Sequence, residues 1–230
     1  MGYFSGPNMI TDGLVFAIDA GSTRSYPGSG TSVDNLVGAN TGALENGVGF
    51  TSTYGGEFVF DGVDQNINIG VGTGINQLSG DFTVSIWARR TSASGNTWGN
   101  LFGDYYTNTT ATTNEWQIMM SSASQIFVYR VPSYVINATS SGFPINTWIN
   151  VVMTRIGTTL KLYANSNLIA TTTNSGDWGT STGDLNMGTD GDGSSEPFPG
   201  EISAVQVYDQ GLTAAEVLQN YNAQKSRFGL

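Results

Sequence analysis

The sequence predicts an all-β protein, a two-sheet antiparallel sandwich with one short C-terminal helix, on three observations. About a dozen strand-like segments follow one another with turn signals between them. The clearest of them, Phe82 to Arg90, places Phe82, Val84, Ile86 and Ala88 on one face and Thr83, Ser85, Trp87 and Arg89 on the other. The stretch from Phe198 to Gln224 joins a strand to the one convincing helix start in the chain.

That closing stretch carries Ile202 and Ala204 on one face and Val205 and Val207 on the other, the pattern of a strand buried on both sides. Thr213 with Glu216 three residues on makes a capping box, and Leu212 with Val217 a hydrophobic staple.

Earlier in the chain, residues 1–11 read as an arm, with Gly2, Gly6 and Pro7 and little periodicity. Leu14, Phe16 and Ile18 alternate with Val15 and Ala17 as a first strand, and Ala20 to Asn40 reads as loop. Glu57–Asp61 and Asn66–Gly70 are expected to pair as a hairpin across Asp61-Gly62. Asn100–Tyr105, Glu115–Ser121, Gln125–Val131 and Tyr134–Thr139 follow as shorter strands. Trp148–Ile156, Thr159–Asn165 and Leu168–Thr173 form a meander, turning at Gly157-Thr158 and Asn165-Ser166-Asn167. Asp184–Gly188 is a last short strand before the closing unit. No linker divides the chain, so one domain is expected over residues 12–224, followed by a tail at 225–230.

Composition narrows the chemistry. The 230 residues include no Cys and no His, which removes disulfides, thiolate nucleophiles, the commonest general base and the usual zinc site. Lys plus Arg number 8 against 18 Asp plus Glu, a net charge of −10, and the cations are scattered. Binding to nucleic acid is therefore not expected. No segment approaches the ~20 apolar residues that span a bilayer, so membrane insertion is not expected either. Met1 to Met9 lacks the basic and apolar regions of a signal peptide.

Four segments resemble the laminin G-like group of the concanavalin A-like lectin/glucanase superfamily. They are Phe58 to Asp64, Phe82 to Trp87, Trp148 to Val152 and Pro199 to Glu216, and their order spans about Asp12 to Tyr221. A narrower likeness, to variants in tailed-phage structural proteins, rests on Gly6 to Asn8, Leu14 to Gly21 and Ser25 to Gly30. The resemblance implies a curved jelly roll whose edge loops bind calcium or glycans in some members. It fixes no reaction, because one fold hosts many functions.

Individual sites are read on their own chemistry. Hydrolases of this superfamily present Glu-x-Asp-x-x-Glu, a pattern absent here, and Glu115 and Glu201 stand among neutral neighbours. The chain is accordingly expected not to be an enzyme, with Glu201 capping an edge or facing solvent. Asp190, Asp192 and Glu196 put three carboxylates within seven residues, a set of hard oxygen donors suited to calcium. Asp61 and Asp64 are a second such candidate, and for both the plainer reading as solvated turns is preferred. No cofactor is expected to be required, and calcium is the candidate ion. Trp98, Tyr105, Tyr106 and Trp178 lie in loop-like, polar stretches where an exposed ring can stack on a sugar, whereas Trp87, Trp116 and Trp148 belong to strands and core.

The arm, with Tyr3, Phe4, Pro7 and Asn8, is the candidate for docking on a partner. Two functions follow. The first is a non-catalytic virion structural protein, a capsid decoration or tail-associated module bound to other virion proteins and extracellular after lysis. The alternative is a glycan-binding lectin or adhesin, calcium-assisted or not, that attaches to host-surface glycans. A homo-oligomer is an option under either.

Overall fold

A computed structural model describes residues 7–70, 78–92, 98–105, 114–121, 124–138, 143–176, 178 and 183–230. The strands in chain order are β1 (Leu14–Asp19), β2 (Ser32–Asp34), β3 (Thr41–Glu45), β4 (Gly49–Thr51), β5 (Glu57–Asp61), β6 (Asn66–Gly70), β7 (Phe82–Arg90) and β8 (Trp98–Gly103). They continue as β9 (Trp116–Ser121), β10 (Ile126–Arg130), β11 (Ser133–Ala138), β12 (Ile149–Ile156), β13 (Thr159–Ala164), β14 (Asn167–Thr173), β15 (Leu185–Met187) and β16 (Pro199–Tyr208). Helix α1 (Ala214–Gln224) and a 3-10 turn, Lys225–Phe228, close the chain.

Two antiparallel sheets face each other, as expected. The first runs β14-β13-β12-β7-β16-β5-β4, with β1 also on β16; the second runs β11-β10-β9-β8-β15-β6-β3-β2. β16 is the centre of the first sheet. It has β7 along one edge and, along the other, β5 at its start and β1 at its end. All ten of its residues are buried.

Three expectations need correction. The faces of β16 are not split between Ile202/Ala204 and Val205/Val207, because a bulge between Ile202 and Ala204 shifts the register. Ile202 therefore joins Val205 and Val207 in the core between the sheets, while Ala204 lies on the outer side with Trp87 and Phe228. An extra residue in one strand inverts the alternation beyond it. β5 and β6 do not form a hairpin. They lie in opposite sheets, and the intervening turn, with Gly62 at φ 76°, carries the chain across the sandwich. Both strands send aromatic or aliphatic side chains inward, so a sequence pattern that looked like one sheet is two halves of one core. Finally, β2 lies within the 20–40 stretch read as loop.

The meander β12-β13-β14 is as expected, with its turns at Gly157 (φ 58°) and at Asn165 and Ser166 (φ 48° and 63°). So is the helix start. The Thr213 side chain accepts from Glu216 N–H while the Glu216 carboxylate accepts from Thr213 N–H. Leu212 and Val217 share a buried cluster with Tyr208 and Val152. Among the described residues no helix is long and apolar enough to cross a membrane.

Residues 225–230 are more than a tail. Phe228 is buried on the outer face of the first sheet, stacked on Trp87 with ring centroids 4.1 Å apart and tilted on Trp148 at 4.6 Å. Arg227 beside it pairs with Asp19 at 2.7 Å and donates to the carbonyls of Tyr54 and Gly56. The described end of the N-terminal arm is likewise bound to its own chain. Asn8 carbonyl accepts from Gln219, and Ile10 N–H donates to Asn220 Oδ1. Pro7 and Asn8 are exposed, and Tyr3 and Phe4 lie outside the described residues.

Next to this face Arg89 sits between two carboxylates on neighbouring strands, 3.2 Å from Glu201 and 3.5 Å from Glu57. Glu201 thus neither caps an edge nor faces solvent. Burial pushes Glu57 up from 4.5 to about 7, with Arg89 opposing the shift and Glu201 adding to it. Because the folded value lies above the unfolded one, the native state keeps a proton that the unfolded chain releases. Stability from this group is present below about 4.5 and is lost as pH rises through about 7. Glu57→Gln is expected to be more stable than wild type at about pH 8, by on the order of 1 kcal/mol, with the gain shrinking towards pH 5. Thermal melts of the two proteins across that range measure it; a pH-independent difference would exclude titration of Glu57 as the cause.

Candidate functional site

The outer face of the second sheet is built by period-two alternation. Trp116, Ile118 and Met120 of β9 point into the core, so Gln117 and Met119 point out; Ile126 and Val128 of β10 point in, so Phe127 and Tyr129 point out. Register sets Phe127 opposite Met119 and Tyr129 opposite both Gln117 and Tyr134. The result is a patch of rings spread across four neighbouring strands and their flanks. Trp98 at the start of β8 lies 4.8 Å from Phe127 and 5.7 Å from Tyr134 by ring centroid. Tyr129 lies 5.2 Å from Tyr134 and 4.7 Å from Tyr105.

Of these rings, Tyr105, Tyr129 and Tyr134 border a cleft of about 450 Å³. Gln117, Met119, Pro132, Ser133 and Glu196 line it with them. The Val131–Pro132 peptide beside it is cis. Tyr134 is 47% exposed although Trp98, Phe127 and Tyr129 pack against its ring. Burial raises the Tyr105 hydroxyl to about 12, with neighbouring Tyr129 adding to the shift, so it stays a protonated donor at any physiological pH.

Glu196 is brought over the sheet by the loop between β15 and β16. The loop is held by its own side chains. Asp190 Oδ1 accepts Ser195 N–H at 3.1 Å, and Asp192 Oδ1 accepts the N–H groups of Ser194 and Ser195. Burial acts to raise the Asp192 carboxyl, but hydrogen bonds from Asp190, Ser194 and Ser195 outweigh it and hold the group at about 2. Glu196 takes a left-handed backbone conformation, φ 52°, with its carbonyl accepting Asn100 N–H at 2.8 Å. Its carboxylate accepts Gln117 Nε2 at 2.7 Å. Burial raises the Glu196 carboxyl above its ordinary value, and that hydrogen bond opposes the shift.

Gln117 completes the arrangement. Its side chain is fully buried and lines the cleft, and its Oε1 has no hydrogen-bond partner among the described residues. A buried amide oxygen left unmatched costs about 1–3 kcal/mol. Glu196, Gln117 and the tyrosine hydroxyls thus supply polar groups around flat apolar surface.

The structure treats the sequence candidates unequally. Trp98, Tyr105 and Glu196 belong to the patch and cleft. Trp178 does not: it is fully buried between Phe82 and Trp116, at 5.3 and 6.4 Å, with Nε1 donating to Asn174 Oδ1. Its polar sequence neighbours concealed a core residue. Tyr106 lies outside the described residues. Asp190 and Asp192, read from sequence as turn residues with calcium as the alternative, interact with each other through their side chains. Asp190 is buried in its loop, Asp192 serves the same loop, and Glu196 turns to the cleft. Asp61 caps its turn by accepting Val63 N–H, and Asp64 is exposed nearby. No group of three His, Cys, Asp or Glu residues is placed to hold a metal among the described residues. Sequence reading missed Gln117, Met119, Tyr129 and Tyr134. The available signal was outward-phased aromatics on consecutive strands.

Comparison with known structures bears on the rest. No curated protein sequence matches the chain. Trypanosoma rangeli sialidase in complex with sialic acid is similar with a TM-score of 0.71 and 13% identity, covering 96% of this chain and 35% of the sialidase. The same sialidase as a covalent intermediate with 2,3-difluorosialic acid gives 0.71 and 14%, over 96% and 35%. Domain 4 of a GH43 extracellular arabinanase from Geobacillus stearothermophilus, in complex with arabinotriose, gives 0.68 and 14%, covering 90% of this chain and 98% of that domain. The chain thus spans about a third of the sialidase's length. At these identities the likeness is one of fold.

Two expectations change. The reading of the chain as not an enzyme is not retained, because its neighbours in fold are sialidases and a domain of a GH43 arabinanase. The virion role draws no support from these neighbours, two of which hold a sugar. Over residues 61–218, more than half its length, the sequence matches the laminin G family of the concanavalin A-like lectin/glucanases superfamily, and the chain belongs to that family.

Proposed function

We propose that this chain is a glycan-binding domain and that the cleft on the outer face of the second sheet is its sugar site. The observation that carries the reading is the buried Oε1 of Gln117, without a hydrogen-bond partner among the described residues, in a cleft that the exposed Tyr134 also lines. A sugar ring offers an apolar C–H face and a rim of hydroxyls. The first stacks on Tyr134 and Tyr129, and the second donates to Gln117 Oε1 and Glu196 and accepts from the tyrosine hydroxyls. The neighbours that hold sialic acid and arabinotriose support the sugar class without fixing the sugar.

Tyr134→Ala is the direct test, because a residue 47% exposed can be removed with little cost to the fold. A glycan array identifies ligands for the wild type, and calorimetry then compares the two proteins. Loss of an anchoring ring is expected to weaken binding by roughly thirtyfold, about 2 kcal/mol. No glycan bound by the wild type, or equal affinity in the variant, would remove the proposal.

A further inference from the structure

The cleft's charge makes a finer selection, and this inference rests on the sugar-binding reading above. Among the described residues, Glu196 is the one charged residue lining the cleft. The arginines near it in sequence or register are used elsewhere. Arg130 follows Tyr129 but places its guanidinium 5.9 Å from the Trp178 ring centre and donates to Asn114. Arg90 is 3% exposed and donates to Ser124 Oγ and the Ser121 carbonyl. The chain as a whole carries −10, so the surrounding field has the same sign as the cleft.

From this we infer that the cleft takes neutral glycans and rejects acidic ones, with Glu196 as the residue that determines the choice. A uronate or sialate carboxylate seated among these residues meets another carboxylate and finds no lining cation to offset the loss of its water. Two like charges about 5 Å apart, at an effective dielectric of about 20, repel strongly enough to weaken binding by a hundredfold or more; water in an open cleft reduces this to at least about tenfold. A neutral sugar loses nothing, since its hydroxyls donate to the same carboxylate in a charge-assisted hydrogen bond.

The test uses matched pairs on the whole chain at neutral pH: galactose oligomers against galacturonic acid oligomers, and lactose-terminated against sialyllactose-terminated glycans. Wild type is expected to bind neutral members at least about tenfold more tightly than their acidic partners. Glu196→Gln keeps the side-chain shape and a hydrogen-bonding partner for Gln117. It is expected to close most of that gap, by gaining affinity for the acidic members. An unchanged melting temperature confirms that the variant is folded. Acidic glycans bound by wild type as tightly as their neutral partners, or a gap that persists in Glu196→Gln, would overturn the selection while leaving sugar binding intact. Binding of neither class would overturn both readings together.

Discussion

Phe228→Ala is expected to destabilise the protein by about 3–5 kcal/mol, the range for removing a buried aromatic ring. Trp87 and Trp148 stand side by side on β7 and at the approach to β12, on the outer face of the first sheet, where an uncovered indole pair would be a large apolar patch. Phe228 is 4% exposed and touches both, stacked on one and tilted on the other. Tyr221 of α1 completes the cover by stacking on Trp87 at 5.8 Å. The 3-10 turn is tied down by Arg227, whose guanidinium binds Asp19, Gly56 and Ser203, while Gly229 ends the turn at φ 73°. Deleting the ring opens a cavity and removes the apolar reason for the turn to stay down, so the Arg227 contacts weaken with it. Urea unfolding should show a lower midpoint with an unchanged slope. A loss under about 1 kcal/mol would mean that the ring rests on the sheet without being part of its packing.

Where the sequence was legible, the signal was local. The meander β12-β13-β14 needs only alternation and two turns that tolerate positive φ, and the capping box needs only Thr213 and Glu216 three residues apart. The face assignment of β16 failed for want of a distant fact: the bulge after Ile202 is a property of its pairing with β7, about a hundred residues earlier in the chain. β5 and β6 illustrate the same point. Both alternate correctly, but which sheet a strand joins is decided by β16 and β15, which alternation does not report. The cleft was the least legible feature. Phe127 and Tyr129 look like ordinary strand residues until the inward phase of Ile126 and Val128 is known. Gln117 acquires its meaning from Glu196, 79 residues away. Glu196 itself was visible as an acidic loop residue, but its hydrogen bond to an amide on β9 was not.

Trp178 supplies the sharpest contrast between what a sequence neighbourhood suggests and what packing does. Set among Gly, Asp and Thr, it has the context of an exposed ligand-stacking ring; in the structure it is fully enclosed. Trp178→Ala is accordingly expected to cost about 3–5 kcal/mol and to weaken sugar binding only in proportion to the fraction unfolded. The ring fills space between Phe82 of β7 and Trp116 of β9, so it bridges the two sheets. Its indole N–H is matched by Asn174 Oδ1, which also accepts Gly176 N–H and so would keep one partner after the substitution. The penalty is therefore mainly one of cavity and lost contact, and Trp178→Phe should recover a large part of it. Tyr134→Ala is the opposite case, with affinity lost and melting temperature kept. If Trp178→Ala melted like wild type yet no longer bound a sugar, the ring would have to reach the ligand, and the assignment of the site to the outer face of the second sheet would fail with it. Beneath that face Trp116 and Trp178 pack together, and above it Gln117, the next residue along β9, meets the cleft. One strand thus couples the core that Trp178 stabilises to the surface on which the proposed sugar rests, and the pair of variants separates the two.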